Sequence, residues 1–82
     1  MTASDYRIYL RGLRGDIRAQ LEEKIDLCNE LAHNALEHDN KEFAKQCYEK
    51  ANAFRCAISV ANEEISKAIK LSYLEDEEVS RQ

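Results

Sequence analysis

The sequence predicts an all-α protein: a short N-terminal helix followed by an antiparallel hairpin of two long helices, associating with further copies of itself. Three observations carry this. The 82 residues include no Pro and only two Gly, so little interrupts a helix. Apolar residues recur at intervals of three and four through most of the chain. A single polar turn signal, EHDNKE at residues 37–42, separates two such stretches.

The first stripe reads Leu10, Leu13, Ile17, Leu21, Ile25, Cys28, Leu31, Ala32 and Ala35. Within it, Gly12 and Gly15 each cost about 1 kcal/mol in a helix interior relative to Ala, and Asp16 is a good N-cap. A break near Gly15 is therefore favoured. It gives a short helix over about residues 4–13 and a long one over about 16–36; the alternative is one unbroken helix from about residue 4. At the turn, Asp39 or Asn40 can cap the next helix, and Glu42 sits where a capping-box partner of Asp39 would. The second stripe reads Phe43, Cys47, Ala51, Phe54, Ile58, Ala61, Ile65 and Ala68 or Ile69. It predicts a helix over about 40–74, before an acidic tail, EDEEVSRQ, at 75–82. Two long helices joined so tightly lie antiparallel, in one domain.

A chain of this size makes a thin core from two or three helices, and self-association is the expected supplement. The second helix carries apolar surface beyond its main stripe at Ala53, Cys56, Ala57, Val60, Leu71 and Leu74, the candidate oligomer interface. The short N-terminal helix, folding over that flank, is the competing way to cover it.

No apolar run approaches the ~20 residues of a membrane span, and no signal-peptide pattern opens the chain, so a cytoplasmic protein is expected. In that compartment Cys28, Cys47 and Cys56 read as small core or interface residues. A turn near residue 38 brings Cys28 and Cys47 roughly level, which makes a bridge geometrically conceivable. His33 and His38 read as surface residues near a helix end, with no metal and no cofactor implied.

Charge is unevenly spread. Residues 1–18 hold Arg7, Arg11, Arg14 and Arg18 against Asp5 and Asp16, whereas the rest of a chain of net charge −4 is strongly acidic. The later cations are six Lys with Arg55 and Arg81. At ~100° per residue the four early arginines fall within an arc of about 60°, a guanidinium ridge beside the apolar stripe. Arg binds phosphate or carboxylate bidentately and stacks on flat rings. Either the ridge pairs with Glu63, Glu64 or the 75–78 acids, or it forms an anion pocket with Tyr6 and Tyr9 as stacking surfaces. The acidity elsewhere repels a long polyanion, so a small anionic ligand fits better than duplex nucleic acid. Lys24 falls within the apolar arc, where a charge must reach solvent or a partner. Tyr9 and Lys24 lie roughly 22 Å apart along a continuous helix and meet only through a bend at the glycines or across two chains.

In its architecture and in Tyr9 and Lys24, the chain resembles the phage-encoded cyclic-nucleotide sponges that counter the bacterial CBASS defence. The resemblance covers the whole chain. It implies a small all-helical homo-oligomer that sequesters cyclic oligonucleotides without cleaving them, with Tyr9 stacking on a base and Lys24 meeting phosphate. For a further ligand-contacting arginine, Arg55 and Arg11 are both open. The sequence has no glycine-rich phosphate loop, no Cys-His or Ser-His arrangement on a strained turn and no paired acids flanked by a pocket-forming loop, so no enzyme is expected. The alternative function is a helical protein–protein adaptor or inhibitor acting through the exposed apolar flank.

Overall fold

In a computed structural model, the backbone is described for residues 2–81 and the side chains for residues 2–75. Two long helices, α1 (Ala3–Glu37) and α2 (Lys41–Arg81), pack against each other as a hairpin, and no strand occurs among the described residues. The molecule measures 67 × 16 × 11 Å. Its radius of gyration is 18.9 Å, against about 12 Å for a compact domain of the same length, so this is a rod.

The expected break near Gly15 is absent: α1 is unbroken, and the separate helix over 4–13 is corrected to the first turns of α1. Both glycines are exposed and neither has a positive φ, so each sits in ordinary helical backbone. Arg11 precedes Gly12 and Arg14 precedes Gly15, and both arginines reach across to α2 there, so tertiary contacts support the helix against the local propensity. The helix starts earlier than its pattern suggested because Thr2 caps it. Thr2 Oγ1 accepts from Asp5 N–H at 3.1 Å, and Thr2 N–H donates to the Asp5 carboxylate at 3.4 Å, a capping box.

The turn assigns Asp39 and Asn40 different tasks. Asp39 takes the left-handed conformation, φ 56°, that usually falls to Gly after a helix end. Asp39 N–H then donates to Leu36 C=O at 3.1 Å and Asn40 N–H to Ala35 C=O at 2.8 Å, closing α1 with the two bonds of a Schellman motif. Asn40, not Asp39, caps α2, its Oδ1 accepting from Phe43 N–H at 3.2 Å. The expected Asp39–Glu42 capping box is thus replaced. At the other end α2 runs on as helix to Arg81, through the segment expected as a tail. The side chains of residues 76–82 lie outside the described residues.

The core is a seam of small residues. Ala32, Ala35, Ala44 and Cys47 form one buried cluster; Ile25, Cys28 and Ala51 form the next, flanked by Phe54 and Ile58. Among the described residues no large side chain is fully buried. From the expected stripes, Leu13, Ile17, Leu21 and Ile65 are only half-buried, and Leu31 and Phe43 are exposed. Cys28 and Cys47 fall in successive clusters rather than level with each other, and both are thiols. No described helix is long and apolar enough to cross a membrane.

Replacing Ala51, fully buried on the seam, by Leu forces the helices apart and is expected to cost about 1–3 kcal/mol. Gly12→Ala meets open space and is expected to stabilise by roughly 0.5–1 kcal/mol. Chemical denaturation followed by circular dichroism measures both.

Candidate functional site: an arginine face along the hairpin

The four ridge arginines all project from one flank of α1, and three of them reach across to α2. Arg7 Nε–H donates to Ser72 Oγ at 2.7 Å, its Nη2 lies 3.5 Å from Ser72 C=O, and its guanidinium stacks 4.0 Å from the Tyr73 ring centroid. Arg11 Nη2 donates to Tyr73 Oη at 2.8 Å, and Arg14 Nη1 to Ser66 Oγ at 3.0 Å. Arg18 stays on its own helix, donating from Nε to the Glu22 carboxylate at 2.8 Å. That hydrogen bond first, and the carboxylate's charge second, raise the Arg18 pKa above its ordinary value.

Glu63 and Glu64, expected as partners of the ridge, pair with Lys67 instead, at 3.6 and 3.4 Å. Asp76, Glu77 and Glu78 fall outside the described side chains. Among the described residues, Arg11 and Arg14 therefore meet hydroxyl groups, which orient a guanidinium without cancelling its charge. Arg11 is exposed and Arg14 half-buried.

Between the helices at this level lies an open groove of about 450 Å³, lined by Arg11, Arg14, Gly15, Arg18, Asn62 and Ser66. Gly15 lines it and is exposed, and a Cβ built there has nothing within 4 Å. The wall contributed by α2 offers an amide and a hydroxyl. Together these groups suit phosphate or carboxylate oxygens, plus one polar edge of a flat ligand.

The remaining candidates are placed elsewhere. Tyr9 is 55% exposed and, at ~100° per residue, lies about 170° around α1 from the ridge, so it does not face the groove. Tyr6 is exposed and lies about 110° from the ridge. Lys24 is exposed, so its charge reaches solvent. It lines a separate open groove of about 510 Å³ with Gln20, Glu23, Asp26, Leu27 and Glu30. Arg55 donates to its helical neighbour Asn52 at 2.8 Å. Ser66, Asn62, Ser72 and Tyr73 were not singled out in the sequence; once the helices are set antiparallel, their position on the flank facing the ridge is the only signal that marks them. Ala53, Cys56, Ala57, Val60, Leu71 and Leu74 are all exposed, and no part of α1 folds over them.

His33 pairs with Glu37 at 3.3 Å, and His38 Nδ1 lies 2.9 Å from Asn34 C=O. Among the described residues, no group of three or more His, Cys, Asp or Glu side chains stands close enough to hold a metal ion. In comparisons with known proteins, the chain matches no protein-family model, no curated protein and no solved structure.

Tyr73 serves two arginines by different chemistry. Tyr73→Phe keeps the ring under Arg7 and is expected to cost below about 1 kcal/mol, because the lost hydrogen bond is solvent-exposed. Tyr73→Ala removes the ring as well and is expected to cost about 0.5–1 kcal/mol more. Thermal melts of the two variants check the order.

Proposed function

We propose that this protein is a non-catalytic binding protein that sequesters a small anionic ligand, a cyclic oligonucleotide, in the manner of a phage counter-defence sponge, and that it acts as a homo-oligomer. The observation that carries the reading is the pair Arg11 and Arg14, oriented by Tyr73 and Ser66 rather than neutralised by carboxylates, beside an open groove. Arg11 and Arg18 are separated by about 10 Å along the helix axis, a span that suits a compact ligand with more than one phosphate. Asn62 and Ser66 add donors and acceptors for a base edge.

Because α1 is unbroken, Tyr9 and Lys24 reach one ligand only from two different chains, which ties the family resemblance to self-association. The second reading, a protein–protein adaptor, is favoured by a single feature, the apolar outer flank of α2 with Val60, Leu71 and Leu74 more than half exposed.

Calorimetric titration with a panel of cyclic dinucleotides and cyclic trinucleotides tests the ligand reading. The unaltered protein is expected to bind at least one of them, and Arg14→Ala to weaken it by about tenfold to a hundredfold through a lost charge-assisted contact. Gly15→Leu adds a bulky side chain at the lining of the groove and is expected to weaken binding while leaving the melting temperature unchanged or raised, since Leu favours helix over Gly. Absence of binding by the whole panel, with a lowered melting temperature for Arg14→Ala, makes the ridge a structural clamp.

A further inference from the structure

Three arginines line the groove between the helices, and they are held differently. Arg11 and Arg14 donate to hydroxyl groups of α2, Tyr73 Oη and Ser66 Oγ. Arg18 turns instead along α1 to Glu22, with a single 2.8 Å contact from Nε to one carboxylate oxygen. The antiparallel register nevertheless offers Arg18 a neutral partner on α2 as well. Arg14 is level with Ser66, so Arg18, one turn on, is level with Asn62, one turn back. Asn62 lines the groove, is half-buried, and its amide has no partner among the described residues.

The Arg18–Glu22 pair is one that exchanges readily. Its side chains are 62% and 52% exposed, where an ion pair contributes little. The acid stands one turn C-terminal to the base, the less favourable order for a helical pair. A single oxygen on Nε leaves both Nη groups without a partner among the described residues. A phosphate that takes the guanidinium fork bidentately therefore gains more than the carboxylate gives up. Until that exchange, Glu22 offsets one of the three guanidinium charges that line the groove.

We infer that Glu22 is a built-in competitor for the groove: it occupies Arg18 until a ligand with more than one phosphate displaces it, and Arg18 then closes on that ligand opposite Asn62. Arg11 and Arg14 make the first contact, because their hydroxyl partners leave their charge in place. A ligand that spans the roughly 10 Å from Arg11 to Arg18 recruits the third guanidinium. The inference rests on the anion-binding reading of the groove and adds the internal contact that tunes its affinity.

A double-mutant cycle over Glu22→Gln and Arg18→Ala tests it, by calorimetric titration with inorganic triphosphate and with the cyclic nucleotide panel. Glu22→Gln keeps the shape and helix propensity of the side chain and is expected to tighten binding about two- to fivefold, the worth of an exposed ion pair. Arg18→Ala is expected to weaken binding by at least about twofold. In the Arg18→Ala background, Glu22→Gln is expected to change affinity by less than about twofold. Glu22 then lies about 12 Å along the helix from Arg14, beyond the Debye length of about 8 Å at about 0.15 M salt. Equal affinity of the unaltered protein and Glu22→Gln overturns the inference and leaves the anion reading standing. A gain from Glu22→Gln that is undiminished without Arg18 also overturns it, since Glu22 then acts only as a distant charge. The expected cycle with triphosphate, with no cyclic nucleotide bound, supports the inference and removes the cyclic-nucleotide reading. Binding of neither probe by any variant overturns both.

Discussion

The close approach of α1 and α2 over Ala32, Ala35, Ala44, Cys47 and Ala51 is the constraint on which the rest of the molecule depends. Small side chains bring the helix backbones together and fix their register, as Gly and Ala do wherever helices pack tightly. The cost is a shallow core, because each Ala removes little apolar surface from water. Large residues that alternate with the seam, such as Leu13, Leu31, Phe43 and Phe54, are forced outward to the flanks, half-buried or exposed. A two-helix rod therefore acquires two distinct faces from one packing decision, and the arginine face inherits its geometry from the register of the alanines.

That register explains why the ridge crosses to α2 where it does. With Ala32 beside Cys47 and Cys28 beside Ala51, the chain runs antiparallel so that Arg14 comes level with Ser66, and Arg7 with Ser72. Ser72 is buried, and Arg7 satisfies it; among the described residues no buried side-chain polar atom lacks a partner. Arg11 and Arg14, next to Gly12 and Gly15, tie to α2 the stretch of α1 that is weakest by propensity.

Much of the architecture was legible in the sequence, since stripes at three and four and a single polar turn leave few alternatives to a helical hairpin. The errors have local causes. Propensity divided α1 at Gly15 because a sequence does not display the cross-helix hydrogen bonds that override it. Asp39 looked like a cap for α2 because the side chains that favour N-caps also tolerate the left-handed conformation that ends α1. Cys28 and Cys47 looked level because the turn was centred near residue 38, and a shift of about two residues in that centre separates them by about one turn. The ridge itself was legible as an arc. Its partners were not: choosing hydroxyls over Glu63 and Glu64 requires knowing which flank of α2 faces α1, and Lys67 claims both acids.

The magnitudes bear on whether the ridge exists for stability. Exposed charged contacts in water typically contribute a few tenths of a kcal/mol up to about 1, and the contacts of Arg11 and Arg14 to α2 are both exposed. Gly15 alone sacrifices about as much relative to Ala. A purely structural clamp gains nothing from a glycine at its centre, since the site admits a Cβ without any clash. The groove beside Arg11, Arg14 and Arg18 is lined by Gly15, where any other residue adds a side chain. Gly12 and Gly15 forgo helix propensity alike, and of the two only Gly15 lines the groove among the arginines.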